Sequence, residues 1–280
     1  MFYIPDSELE RLIAEDLPYL DLTTHLLGID ERLGQITYLS REDCLLCGSE
    51  EVRRIFAKLG VTVDASLPSG TRLKAGEVFF EASGTAGALH AGWKVCLNLF
   101  DHYSAVATRT RAMVDAAQAV APGLPILTTR KSLPGSRALM TKAIVCGGAV
   151  PHRLGLSETV LVFDNHSAFV GGFAGLLERL PEMLAQSCEK KVFVEADAAQ
   201  AEQLAKSGID GIQFDKVAPD ELRQLIPRLR VANPQLTLIA AGGINLQNVA
   251  DYAATGVDGL ATTALFTAKP LDMTARITPR

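Results

Sequence analysis

Residues 128–166 read TTRKSLPGSRALMTKAIVCGGAVPHRLGLSETVLVFDNH, and what stands at the two ends of this stretch decides the fold. It is entered through one short apolar run, Leu124–Leu127, and left through another, Val160–Phe163, each of a length that suits a buried strand. The first run passes into Thr-Thr-Arg-Lys and the second into Asp-Asn-His, so a polar cluster follows the C-terminal end of both. Arg130, Lys131, Arg137, Lys142 and Arg153 stand here against Glu158 and Asp164 alone, with His152 and His166 besides. The whole chain carries a formal charge of −5. Cations gathered on an acidic protein mark a local site for an anion, because the global charge supplies no attraction. Guanidinium forks fit carboxylate or phosphate in pairs of hydrogen bonds, and lysine adds a compact point charge. The plainer alternative is a solvated basic face. Two strand ends bearing polar clusters weigh against it.

Outward from this stretch, short apolar runs alternate with helical patterns. The strand candidates are Leu124–Leu127, Ala143–Val145, Val160–Phe163, Val192–Glu195, Gly211–Phe214, Leu236–Ala240 and Gly259–Ala261. Helices over 198–207, 219–231 and 246–255 separate the later ones. Strand–helix units of roughly 20 residues demand a parallel sheet with right-handed crossovers, and such barrels carry their sites at the C-terminal strand ends. That rule gathers Arg130, Lys131, Asp164, Asn165, His166, Glu195, Asp215, Gly242 and Gly243 around one mouth. A Gly-Gly turn opening a helix offers backbone N–H groups to a phosphate. Singly, an acid at a strand end is as well explained as a helix cap; jointly these residues suit a phosphorylated, metal-carrying sugar.

Before the barrel, Pro5 to Leu17 reads as a helix, Asp21 as a helix cap, and Gln35–Leu39 as a strand. A helix over 49–59 and strands at 61–63 and 78–82 follow, then two helices between Ala86 and Ala119. The expected fold class is thus α+β joined to α/β. An N-terminal α+β, sandwich-like domain with a connector helix covers 1–105. A parallel, partly open α/β barrel of about seven strands covers 106–265, and a C-terminal segment, 266–280, returns toward the first domain.

TRKSLPGSR, GGAVPHRLGL and LVFDNH together resemble the quinolinate phosphoribosyltransferase family, the carboxylating nicotinate-nucleotide pyrophosphorylases, whose pattern is roughly TRKTxPGLR, GGGxxHRxGL and IKDNH. The resemblance extends through EDLPYLDLTT, LNLFDHYSAVATRT, FVEAD, QFDK, AAGGI and GVDGL. Within the family it points to the ModD branch, pyrophosphorylases associated with molybdate-uptake genes. It implies transfer of phosphoribose from phosphoribosyl pyrophosphate, with Mg²⁺, to the ring nitrogen of a small aromatic acid. Lys131, Glu195 and Asp215 would then be catalytic, with Lys131 and His152 on phosphate groups or substrate. Arg130 and Arg153 would grip a carboxylate, with Phe163, Asn165 and His166 beside them. Glu195 and Asp215 would hold ribose hydroxyls and the Mg²⁺–pyrophosphate unit, and Gly242, Gly243 and Thr263 the 5′-phosphate. The resemblance also implies a homodimer in which Lys94 reaches the neighbour's site.

Three residues depart from the pattern. Phe163 stands where the family has the lysine of IKDNH, Lys94 where it has an arginine beside an acid (Trp93 here), and Thr128 where it has an acid. A cation 4 Å from a carboxylate is worth roughly 4 kcal/mol at an effective dielectric of 20, before desolvation. Quinolinate, with two carboxylates, is therefore expected to be a poor substrate.

Composition bounds the remaining classes. Hydrophobic residues at 48% and charged residues at 21% describe a globular chain. No apolar run reaches the length of a membrane span, and MFYIPDSELERL lacks an export signature, so a cytoplasmic protein is expected. Net acidity argues against nucleic acid. Cys44 and Cys47 form a lone CxxC without further ligands, short of the four that structural zinc requires. Two rival readings keep the barrel. One is a non-catalytic binder of an oxyanion such as molybdate, which Glu195 and Asp215 would repel. The other is an aldolase with Lys131 as Schiff-base nucleophile, which needs a desolvated lysine.

Overall fold

The computed structural model describes residues 2–280, which fall into two units: 2–111, 133–148 and 266–280 in the first, 112–132 and 149–265 in the second. Strands β1 (Leu33–Leu39), β3 (Thr62–Ser66) and β5 (Val78–Thr85) of the first unit join the C-terminal strand Thr274–Pro279 in an antiparallel sheet. β1 lies between the C-terminal strand and β5, and β3 takes the far edge of β5. A two-stranded ribbon, β2 (Cys44–Leu45) with β4 (Arg72–Leu73), lies outside this sheet. Alternation along β1 buries Ile36 and Tyr38, and Tyr38 enters an aromatic cluster with Phe56, Phe79, Phe80 and Phe100. Phe79 and Phe100 meet edge to face at 4.8 Å, a preferred geometry for buried rings. Asp21 does cap a helix, Leu22–Leu27, accepting hydrogen bonds from the Thr23 and Thr24 amides.

Two expectations fail in this unit. Ala86–Gln118 is one helix of 33 residues, not two. Its middle holds Ser104 and Thr108, weak helix formers that the fold uses as docking groups. The Ser104 hydroxyl accepts from the Cys47 amide at 2.9 Å, and the Thr108 hydroxyl accepts from the Leu45 amide at 2.8 Å. Ala143–Val145, read as a strand, lies in the helix Arg137–Cys146. Leu139 through Ile144 are all buried, so the helix lacks a polar face and shows no 3.6-residue alternation.

The second unit holds β6 (Ile126–Thr128), β7 (Val150–Pro151), β8 (Val160–Val162), β9 (Val192–Ala196), β10 (Gly211–Asp215), β11 (Thr237–Ala241) and β12 (Gly259–Thr262). They form one parallel sheet in the order β7-β6-β12-β11-β10-β9-β8. β7 takes the place expected for Ala143–Val145, and seven strands stand. Leu161 of β8 and Ala261 of β12 share one buried cluster with Phe193, Ile239 and Ala241, and Leu127 of β6 packs against it. Five strand spacings separate β6 from β8, roughly 24 Å in a flat sheet. Residues that far apart meet only because the sheet curls into a partly closed barrel, leaving β7 and β8 as its two edges. Gly211 belongs to this interior: a β-carbon on it would stand 2.1 Å from the Phe193 ring on the adjacent strand.

Candidate active site

A period of two along each strand selects the side chains that enter the barrel. On β9, Phe193 and Glu195 share a face; on β10, Gln213 and Asp215 do; on β11, Ile239 and Ala241. Phe193 and Gly211 stand at the lowest of these levels, Glu195, Gln213 and Ile239 at the next, and Asp215 and Ala241 nearest the C-terminal strand ends, so the polar side chains lie toward that end.

Glu195 and Gln213 are direct neighbours across the β9–β10 ladder, and the Gln213 amide donates to Glu195 Oε2 at 2.7 Å. Burial raises the Glu195 pKa above the ordinary carboxyl value; the charges of Asp215 and Asp164 add to the rise, while Gln213 and Lys131 oppose it. Three carboxylates and Lys131 therefore act on one another at the mouth. Among the described residues no group of three or more His, Cys, Asp or Glu side chains forms a ready-made metal cage. The two oxyanion and aldolase readings meet physical obstacles here. Three clustered carboxylates repel a bare oxyanion, and Lys131 is exposed, without the apolar burial that activates a Schiff-base lysine.

His152 follows β7, with its ring edge-on to Phe193 at 6.4 Å and its amide donating to the Thr128 carbonyl at 3.1 Å. Burial, and next the charge of Arg153, push its pKa below the ordinary histidine value, so the imidazole is neutral at pH 7. Arg153 is in turn pressed toward its neutral form by burial and by Arg130, which brings these two guanidiniums near each other. Arg153 donates to the Thr159 carbonyl at 3.3 Å, and no carboxylate among the described residues is paired with Arg130, Lys131 or Arg153. Cations left without counter-ions in one place are poised for an anionic ligand.

Phe163 faces this group. Its ring packs against the barrel cluster, lies under the Arg153 guanidinium at 5.8 Å, and stacks on His166 at 5.7 Å. His166 Nδ1 accepts from the Phe163 amide at 2.9 Å, which fixes the imidazole at the start of the short helix Asp164–Ser167. Arg130, Arg153, Phe163, Asn165 and His166 together line one wall of a cavity of about 720 Å³.

Gly242 and Gly243 follow β11 with φ of +86° and +74°, both in the left-handed region. The expected helix directly after them is displaced: it runs over Val249–Ala253, because Asn245 and Asn248 hold an intervening turn. Both asparagine side-chain amides donate to the Gly243 carbonyl, at 3.1 and 3.2 Å, and the Asn248 side chain accepts from the Asn245 amide. The carbonyl of Gly243 is thereby engaged by both asparagines. Thr263 stands just past β12, where the neighbouring Thr262 hydroxyl donates to the Ile244 carbonyl at 2.6 Å. Across from Gly242, Lys216 is the one non-glycine residue with positive φ among those described (57°), and its amide donates to the Ala241 carbonyl at 2.8 Å.

Lys94 belongs to the first unit, exposed on the long helix with its ammonium 4.6 Å from the centroid of the Trp93 ring. Arg137 and Lys142 also lie in the first unit. Lys142 is consumed by ion pairs to Glu50, at 2.6 Å, and to Glu51, so it is not a free cation. Sequence reasoning placed Asp164 at the mouth and passed over Gln213, the orienting donor for Glu195. Gln213 was open to discovery, since it lies two before Asp215 on the same strand face.

The sequence model of the quinolinate phosphoribosyl transferase C-terminal domain matches residues 106–276, and that of the N-terminal domain matches 21–104. The chain belongs to the quinolinate phosphoribosyl transferase family. It is accordingly a pentosyltransferase. The chain is 40% identical to the ModD protein of Rhodobacter capsulatus, over 89% of this chain and 96% of that one. It is 35% identical to the ModD protein of Pasteurella multocida, over 98% and 97%. Both relatives are named as pyrophosphorylases. The solved structure of NadC from Streptococcus pyogenes superposes with a TM-score of 0.89 at 25% identity, covering 98% of this chain and 96% of that one.

Proposed function

We propose that this member of the quinolinate phosphoribosyl transferase family moves phosphoribose from phosphoribosyl pyrophosphate to the ring nitrogen of an aromatic acid less anionic than quinolinate. The observation that carries the reading is the meeting, at one barrel mouth, of unpaired Arg130, Lys131 and Arg153 with the carboxylates of Glu195, Asp215 and Asp164.

Cleavage of the anomeric bond leaves positive charge on the ribose and negative charge on pyrophosphate, and preorganised charges of the opposite sign stabilise each. Lys131 stands ready for the departing pyrophosphate. Glu195, oriented by Gln213, and Asp215 would hold the ribose hydroxyls beneath the developing cation. The N–H groups of Gly242 and Gly243, with Thr263, would receive the 5′-phosphate. A neutral His152 donates a hydrogen bond without adding a charge to the site.

Mg²⁺ fits this donor set. It binds through one or two carboxylates together with substrate phosphates rather than in a closed protein cage, and here a partly buried Glu195 near Asp215 and Asp164 gains from a divalent cation. When bound with the donor it would neutralise charge on the leaving pyrophosphate.

Arg130 and Arg153 would grip the acceptor carboxylate. Phe163 gives the ring an apolar neighbour and gives a second carboxylate no cation. Completion of the site in a homodimer by Lys94 of a second copy is part of the same proposal.

Calorimetry tests it, first with phosphoribosyl pyrophosphate and Mg²⁺, then with quinolinate and nicotinate in turn. Donor binding with weak quinolinate binding is the expected result. Absence of donor binding sinks the transferase assignment for this site, and quinolinate turnover matching nicotinate or better sinks the acceptor assignment.

A further inference from the structure

The sheet of the second unit is not closed: β7 and β8 are its edges, and among the described residues no strand joins them. The interval is spanned by the connection over 152–159 and flanked by the helix Gly172–Gln186. The cavity of about 720 Å³ lies at this seam, bounded by the length of β8, by Arg153, Leu156 and Thr159 of the connection, and by the helix. Leu176, Arg179, Met183 and Gln186 reach it at spacings of three, four and three, a single helical face.

The cavity has two characters. The wall at the barrel mouth presents Arg130 and Arg153, with Phe163 beside them. The remaining wall includes Leu156, Val170, Leu176 and Met183, with Arg179 and Glu182 as its charged members. Several hundred Å³ is the scale of pockets that enclose a drug-sized molecule, well beyond one pyridine ring. A carboxylate held by the two arginines would leave apolar volume unfilled beyond a single ring.

Resting on the transferase reading, the geometry points to an acceptor built as a fused bicyclic or similarly extended heteroaromatic monoacid, its carboxylate on Arg130 and Arg153 and its apolar extension in the seam. Val170 and Met183 set the size limit. They lie on different elements, the turn Ala168–Val170 and the following helix. Neither is a residue that the transfer chemistry uses.

The experiment compares nicotinate with quinoline-3-carboxylate, which is nicotinate carrying a fused benzene ring, by calorimetry on the full chain, with and without phosphoribosyl pyrophosphate and Mg²⁺. Burial of the added ring carbons should tighten binding by about tenfold or more. Met183→Trp and Val170→Trp fill the seam from two directions. Each should abolish that advantage while leaving nicotinate and donor affinities within about twofold, since neither substitution touches the carboxylate grip. Equal affinity of the two acids in the unaltered protein overturns the proposal. So does an advantage that survives both substitutions, which would place the added ring outside the seam. A loss of nicotinate binding equal to that of the bicyclic acid in both variants, with folding intact by circular dichroism, also overturns it. Failure of donor binding alone strikes the transferase reading and leaves the comparison of the two acids to decide this one.

Discussion

The Arg153 guanidinium lies over the ring of Phe163, 5.8 Å from its centroid. Such a contact is worth about 0.5–2 kcal/mol, increasing as the pair is withdrawn from water. It places the guanidinium over an aromatic surface in the wall of the cavity. Phe163→Lys would exchange this contact for a second cation facing the same space. We expect the KM for quinolinate to fall by tenfold or more, since even a part of the roughly 4 kcal/mol available to a close ion pair is that large. Nicotinate, with one carboxylate, should gain less. Steady-state kinetics with both acids decide it, and equal changes for the two would show that Phe163 does not read the second carboxylate.

His152 gives a prediction in pH. Burial first, and Arg153 second, lower its pKa, so the folded chain binds this proton less readily than the unfolded chain does. Stability that depends on neutral His152 is therefore present above the unfolded value of about 6.5 and declines as pH falls below it. Arg153→Ala removes the second cause and leaves the first, so the His152 pKa should move up part of the way. NMR titration of the imidazole protons measures this, and a His152 that titrates at the ordinary value before the substitution refutes the assignment.

The barrel was legible because strand ends have a fixed meaning: Glu195, Asp215 and Gly242 each follow an apolar run, and a parallel sheet puts all such ends on one side. Ala143–Val145 misled because a helix buried on every face carries no polar stripe, and its Ala-Ile-Val triplet looks like a strand. Lys142 was counted with the site's cations because sequence distance hides Glu50 and Glu51, ninety-odd residues earlier. The helix after Gly243 was placed early for a local reason. Asn245 and Asn248 spend their amides on the Gly243 carbonyl, making a turn that resembles a helix start. Nothing in the sequence foretold that Leu176 and Met183 would face an open seam, since their apolar spacing suits any core-facing helix.

Gly242 and Gly243 should respond differently to alanine. A β-carbon at Gly242 would meet Lys216 Cγ at 2.6 Å, Asp215 Oδ1 at 2.7 Å and the Lys216 amide nitrogen at 2.7 Å. At Gly243 the space is open, and only the left-handed φ of +74° is strained. Gly243→Ala should cost about 1 kcal/mol of stability and Gly242→Ala about 1–3 kcal/mol or more, because the second adds a clash with backbone to the strain. Gly242→Ala should also weaken donor affinity by displacing Asp215 and the N–H groups proposed for the 5′-phosphate. Thermal unfolding and donor calorimetry on the two variants check both statements, and identical behaviour of the pair would discard the steric argument.

Lys142 holds two carboxylates in the first unit, and Glu51 is almost fully buried. Burial pulls the Glu50 carboxyl upward, but hydrogen bonds from Lys142 and from the Ser69 hydroxyl and amide outweigh it, and its pKa is lowered to about 2. A carboxyl with a depressed folded pKa adds stability that is fully present above its unfolded value, about 4.3, and lost as pH falls toward the folded one. Lys142→Met leaves the buried Glu51 carboxylate without its counter-ion, which costs about 3–5 kcal/mol at neutral pH. It also frees Glu50 to titrate nearer its ordinary value. The gap between the two proteins should therefore be widest at pH 7 and narrow below about pH 4.3 as the unaltered protein loses the Glu50 ion pair. Urea unfolding at pH 7, 4 and 3 measures the gap. A difference that stays constant with pH would mean that Lys142 stabilises the helix Arg137–Cys146 through packing of its aliphatic stem, with the two glutamates as bystanders.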